Sequence, residues 1–189
     1  MSMEMILSIC LGIGLAASTG FRVFVPLFGL SIAAHFGIIP LSDSWQWLGS
    51  LSALVILGVA SVVESMAYLI PFVDNLLDTI AVPLAGVAGT LVMASTLTEF
   101  SPAMTWALAI VAGGGAAATI KTTSAATRAV STATTAGSAN PAIGMAETGA
   151  AIGLSAVSIL FPVVGMMIAV IGIIALIWIM VRLKRQFAK

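Results

Sequence analysis

The sequence predicts an all-α, polytopic membrane protein, on three observations. Of 189 residues, 60% are hydrophobic and only 7% charged, against about 25% charged in soluble domains. The mean hydropathy is +1.19. Apolar runs of membrane-crossing length are joined by short turns, which accommodates about six segments of ~20 residues and no separate soluble domain. Residues 1–189 therefore read as a single transmembrane domain.

The first apolar run, Met5 to Phe36, would extend about 48 Å as one helix at 1.5 Å per residue. That exceeds a hydrocarbon core of ~30 Å, so the run is steeply tilted or broken. Ser18-Thr19-Gly20 and Pro26 are break signals on either side of Arg22. They divide the run into a re-entrant hairpin of two half-length helices, or one interrupted helix. Irregular backbone at that depth needs a protein cover or a water-filled cavity. Pro40 to Ser44 is a polar turn, with Trp45 and Trp47 as interfacial aromatics.

The next span runs from Trp47 to Ile70 and stops at Pro71. Asp74 caps a third helix reaching about Thr98, and Glu99 to Pro102 closes it. Met104 to Thr134 is a weakly hydrophobic run that carries Lys121 and Arg128, and it is a second candidate for a break. Gly137 to Pro141 makes a turn. Ile143 to Arg182 is too long for one span and divides at Phe161-Pro162.

The two halves, 5–98 and 103–182, share a plan: a long run with an embedded cation, a turn, then two spans. Three segments per half would make this a 3+3 inverted repeat, an arrangement of many secondary transporters. The basic residues after the last span place the C-terminus in the cytoplasm of a bacterial inner membrane. An even number of crossings then brings the N-terminus to the same side. No secretory signal pattern is read at the N-terminus, which has Glu4 and no basic side chain.

Charge supplies the functional candidates. An arginine at mid-membrane depth costs roughly 2.5–3.5 kcal/mol, so Arg22 needs an interior position, water or a partner. Lys121 and Arg128, seven residues apart, share a helix face. With Ser18 and Thr19, these three cations form the candidate substrate-binding set. Glu64, Asp74, Asp78 and Glu147 are the counter-charges, Asp74 and Asp78 sharing a face at i and i+4. Hydroxyls from Thr122 to Thr135 make the Lys121–Arg128 segment the one best suited to line a wet cavity. The stripes Gly12-Ala16-Gly20 and Gly14-Ser18 suit close helix packing, which is the structural reading of the same residues.

Other chemistry is absent. Seven basic residues balance seven acidic, which gives nucleic acid no foothold. Cys10 is the single cysteine and His35 the single histidine, so neither a disulfide framework nor a Cys/His metal site is expected. No P-loop, HExxH or GxSxG is present, and no cofactor or enzymatic activity is expected.

The stretch Gly14-Leu-Ala-Ala-Ser-Thr-Gly20-Phe-Arg22-Val-Phe-Val-Pro26-Leu resembles the opening of an uncharacterised bacterial membrane family, domain of unknown function 4126. Glu64 to Asp78, Thr79 to Gly86, Gly113-Gly114-Gly115, Arg128, Asn140 and Glu147 extend the resemblance over most of the chain. The chain departs from that pattern at Tyr68 and Leu69, where the resemblance implies an Asp-Lys pair. It departs again at Val82, where an arginine is implied, and at Thr148, where an acid is. The resemblance implies a compact polytopic protein and supplies no activity. The expectation is a small transporter or channel-like protein for a polar or anionic solute, a lipid headgroup included. The alternative is a structural or assembly protein whose charges form an inert ion-pair network. Membrane lipid is the expected surrounding, with homo-oligomers forming through the small-residue stripes.

Overall fold

The computed structural model describes the backbone of residues 2–187. Side chains at 71–76, 78–79, 179–180 and 183–187 lie outside the described residues, and with them those of Asp74 and Asp78. Eight α-helices carry the described chain. They are α1 (Met3–Thr19), α2 (Phe24–His35), α3 (Leu51–Ala67), α4 (Pro71–Thr96), α5 (Pro102–Leu108), α6 (Gly115–Thr135), α7 (Asn140–Leu160) and α8 (Pro162–Phe187). No strand occurs among the described residues.

The first run breaks where its sequence signals stand. Ser2 caps α1, its hydroxyl accepting from the Met5 amide at 3.1 Å. The helix ends at Thr19, whose hydroxyl donates back to Ala16 O at 2.6 Å. Pro26 falls in the first turn of α2, where a missing N–H is tolerated. α2 then folds back along α1, so that Leu30 shares a buried cluster with Leu11 and Leu15. Of the two readings of this run, the hairpin is the one adopted.

Helix starts after the hairpin follow local caps. Trp47 belongs to a 3-10 helix over Asp43–Gly49, and α3 begins only at Leu51. Ser50 sets that start: it is extended, and its hydroxyl accepts from Ala53 N at 3.2 Å. The span read from Trp47 to Ile70 is therefore shorter at both ends. α4 starts with Pro71 at its first position, the favoured place for proline, after Ile70 as cap residue. Asp74 falls in the first turn of α4 and is not its cap residue.

The second long run does not break. α5, a π-helical segment over Ala109–Gly114, and α6 follow one another without a gap. The π segment crosses α4 at very short range, made feasible by glycine on both sides. A Cβ at Gly113 would stand 2.6 Å from Gly89 O and 2.8 Å from Met93 Cβ, and one at Gly114 would stand 2.6 Å from Thr90 Oγ1. The small stripes of α1 also serve packing: Gly12 lies against α4, and Gly20 against Ile120 of α6. A tight turn with positive φ at Ala136 and Gly137 leads to α7, which stops at Leu160 just before Phe161-Pro162.

Contacts fix the direction of each helix. Ser2 Oγ donates to Glu99 at 2.7 Å, and Ser42 N to Ser95 O at 3.2 Å, so both termini of the hairpin share one end of the bundle with the end of α4. α8 starts against the middle of α1, at Gly165 beside Gly14. It continues along α1, with Ile173 and Leu176 in the cluster of Ala17, Phe21 and Ile120. α1 and α8 are therefore parallel, so the start of α1 and the end of α8 lie at opposite ends of the bundle. The hairpin enters and leaves at one end, so this placement differs from the one expected of an even number of crossings.

Two helices are long and apolar enough to cross a membrane, Pro102–Thr135 and Asn140–Leu160. Asp43–Gly49 with Leu51–Ala67, bent by 67°, would make a third. Six such helices are not present among the described residues. The hairpin arms span only 17 and 12 residues, and α3 spans 17. Nor do the halves match throughout, since the first opens with a hairpin and the second with one continuous helix.

The α4 crossing gives a direct test of this packing. Gly113→Ala should destabilise the detergent-solubilised protein by about 1–3 kcal/mol, the usual cost of overpacking. Gly149→Ala, at a site open on its outer side, should be close to neutral. Equal thermal midpoints for the two variants would contradict the close crossing.

Candidate functional site

The helix ends meet in the bundle interior around Arg22. The α1–α2 break presents this residue, which is 1% exposed. Its Nε donates to Thr148 Oγ1 at 3.0 Å, one terminal nitrogen to Phe21 O and Glu147 Oε2 at 2.9 Å each, and the other to Gly144 O at 2.8 Å. A Cβ at Gly144 would lie 3.5 Å from Arg22 and 3.4 Å from Tyr68 O, ordinary contact distances, so the approach itself does not require glycine. Arg22 is thus held by a carboxylate, a hydroxyl and two carbonyls, much as a buried guanidinium requires.

Glu147, on α7, joins α6 to the α1–α2 break. It accepts from Arg22 at the break and from Arg128 and the Ser124 hydroxyl of α6. The i, i+3, i+7 spacing of Lys121, Ser124 and Arg128 turns all three to the buried face of α6. Lys121 Nζ, 2% exposed, donates to Tyr68 Oη at 2.9 Å.

Tyr68 is the centre of the cationic set. The Arg22 guanidinium carbon lies 4.0 Å from its ring centroid, and Lys121 Nζ and the Arg128 guanidinium carbon each 4.6 Å away. All three are within the range of cation–π attraction. The sequence reading left Tyr68 out of the site, noting it only as a departure from an implied acid. The available signal was its singularity: it is the chain's one tyrosine, a helical turn after Glu64 and just ahead of Pro71.

The other candidates have distinct positions. Glu64 faces the α2 N-terminus, where its two oxygens accept the Val23 and Phe24 amides at 2.7 and 2.9 Å. It acts as a cap supplied by α3, since Val23 offers no side-chain cap. Ser18 donates to Ala151 O at 2.8 Å and lies 2.8 Å from Ser155 Oγ, joining α1 to α7. Thr19 donates to Ala16 O within α1. Arg22, Lys121, Arg128, Glu147 and Glu64 thus come together, while Ser18 lies on the α1–α7 seam and Asp74 and Asp78 lie outside the described residues.

Beside this centre, a groove of about 650 Å³ runs between α2, α3 and α7, lined by residues such as Phe28, Ile32, Val62 and Ile152. Its serines, Ser61, Ser65 and Ser155, all make hydrogen bonds within the protein.

An all-helical bundle with apolar outer faces and a buried, multiply bonded charge centre defines the class of protein. The chain belongs to the family described as Domain of unknown function (DUF4126), whose family model matches residues 9–182. No curated protein and no solved structure matches it.

The centre makes a sharp stability prediction. Glu147→Ala strands Arg22 and Arg128 from their shared carboxylate, and breaking a buried pair costs about 3–5 kcal/mol. Ser18→Ala loses neutral hydrogen bonds, at about 1 kcal/mol. Thermal unfolding in detergent should rank them in that order by a wide margin; the reverse ranking would remove Glu147 from its central place.

Proposed function

We propose that this is a small integral protein of the bacterial inner membrane that binds and passes a polar or anionic solute, a lipid headgroup included. The observation that carries the reading is the convergence of Arg22, Lys121 and Arg128 on the ring of Tyr68. Three cations at one depth are costly in a bilayer, and such residues ordinarily mark pathways. Arg22, Lys121 and Arg128 would meet the anion, with Ser18 and Thr19 beside them. Glu64, Asp74, Asp78 and Glu147 would balance the charge when the site is unoccupied by solute. No bond-making chemistry is assigned to the centre, and neither a cofactor nor a nucleic-acid partner enters the reading.

In a bilayer the α1–α2 hairpin becomes a re-entrant segment. With α3, α4, α5–α6, α7 and α8 as crossings, that makes six membrane segments. The α3/α7 and α4/α8 pairs then run in opposite senses, which suits a 3+3 inverted repeat for two segments of each half. The basic residues after the last span support a cytoplasmic end for α8. Membrane lipid would fill the α2–α3–α7 groove with an acyl chain, and second copies would meet at exposed small residues such as Gly149 and Gly153.

One observation favours a second reading, in which the charges are structural. Glu64 is committed to the α2 amides and Glu147 to two arginines, which leaves neither carboxylate idle.

Flux separates the two. The purified protein would be reconstituted in liposomes and tested with phosphate, sulfate, small carboxylates and neutral polyols. Uptake of at least one solute is expected, with Tyr68→Ala and Lys121→Gln each reducing it about tenfold or more while Thr122→Ala leaves it unchanged. If no solute moves, and Lys121→Gln alters only stability, the inert network replaces transport.

A further inference from the structure

The hydroxyls of α6 fall into two groups. Thr119, Thr122, Thr123, Thr127, Thr134 and Thr135 each donate to a carbonyl four residues back, at 2.7–2.9 Å. That is the ordinary place for a helical hydroxyl to settle. Ser124, Ser131 and Thr132 break the pattern. Ser124 donates to Glu147, and Thr132 Oγ1 accepts from Asn140 Nδ2 at 3.0 Å. Ser131 lies one turn beyond Arg128 on the same buried face. Among the described residues its Oγ has no hydrogen-bond partner, and neither has Oδ1 of Asn140, a residue 2% exposed at the start of α7.

These two orphans have a common setting. They lie between the exposed turn that joins α6 to α7 and the Arg128–Glu147 pair: Ser131 follows Arg128 on α6, and Asn140 precedes Gly144 and Glu147 on the buried face of α7. Buried polar atoms of this kind require a partner, and a carboxamide oxygen requires a donor. A cation is disfavoured there by Arg128 and by the positive end of α7, which has no side-chain cap. An anion would meet an acceptor in Asn140 Oδ1. Water both donates and accepts, and it satisfies the carboxamide in either orientation.

We propose that this corner is a hydrated inlet, in which water entering at the α6–α7 turn bonds Ser131 Oγ and Asn140 Oδ1 and reaches the Arg128–Glu147 pair. The inlet lies at the end of the bundle toward which α8 runs, so water reaches the Arg128–Glu147 pair from that end. It does not rest on the transport reading, because an inert ion-pair network can be hydrated in the same way.

The test is thiol accessibility in a Cys10→Ala background. Ser131→Cys is nearly isosteric; Thr134→Cys serves as the exposed control and Ser18→Cys as the fully buried one. With a membrane-impermeant thiol reagent, Ser131→Cys should react about tenfold or more faster than Ser18→Cys. Labelling as slow as at position 18, with position 134 reacting normally, overturns the inlet. Should Ser131→Cys fail to fold, the unsubstituted protein in micelles decides by NMR. Magnetisation transfer from water to the Asn140 side-chain amide protons is expected, and its absence at an assigned Asn140 resonance overturns the proposal.

Discussion

One carboxylate holds the bundle to itself. Glu147 accepts from Arg22 at the hairpin tip and from Arg128 and Ser124 on α6, and so ties α6 and α7 to the α1–α2 break across both halves of the sequence. The arrangement is required by its own cations. A guanidinium removed from water needs charge balance and a full set of acceptors, and Arg22 obtains both from Glu147, Thr148, Gly144 O and Phe21 O. The position of the hairpin tip against α7 and the registry of α6 against α7 are tied to that contact.

Around it, the polar groups form a graded set. Glu64 neutralises the exposed amides of α2, Tyr68 offers its ring to three cations, and Lys121 is bonded to the phenol oxygen. Close crossings at Gly89–Gly113 and Gly14–Gly165 bring the helices near enough for short side chains such as Ser124 to reach across. Packing and polarity therefore depend on each other: larger residues at the crossings would separate the groups that neutralise the buried charges.

Much of this was readable in the sequence, and the rest was not for identifiable reasons. The hairpin break showed in Ser18-Thr19-Gly20 and Pro26, and the α7–α8 division in Phe161-Pro162, because proline and small polar residues act locally. The cations were visible as charges in apolar runs. Their partners were not, since Arg22 meets a residue 125 positions away and no periodicity encodes that pairing. Glu64 showed as a buried acid, but its use as a remote helix cap appears only in three dimensions. Tyr68 escaped because its role comes from its π face rather than from a formal charge. Only two or three described helices have the length and apolarity of a crossing, because the apolar runs read from the sequence divide into shorter helices at their breaks.

The 125-residue separation of Arg22 and Glu147 also has a meaning in time. At roughly 5–20 residues per second, about 6–25 s pass between the synthesis of the arginine and that of its carboxylate. Glu64 arrives only 41 positions after Val23, so the α2 amides are capped early, well before the arginine can be neutralised. During that interval the arginine lacks the carboxylate that it meets in the folded bundle. The segment that carries Arg22 is thus made well before its partner, and its final packing waits for α7 to deliver the carboxylate.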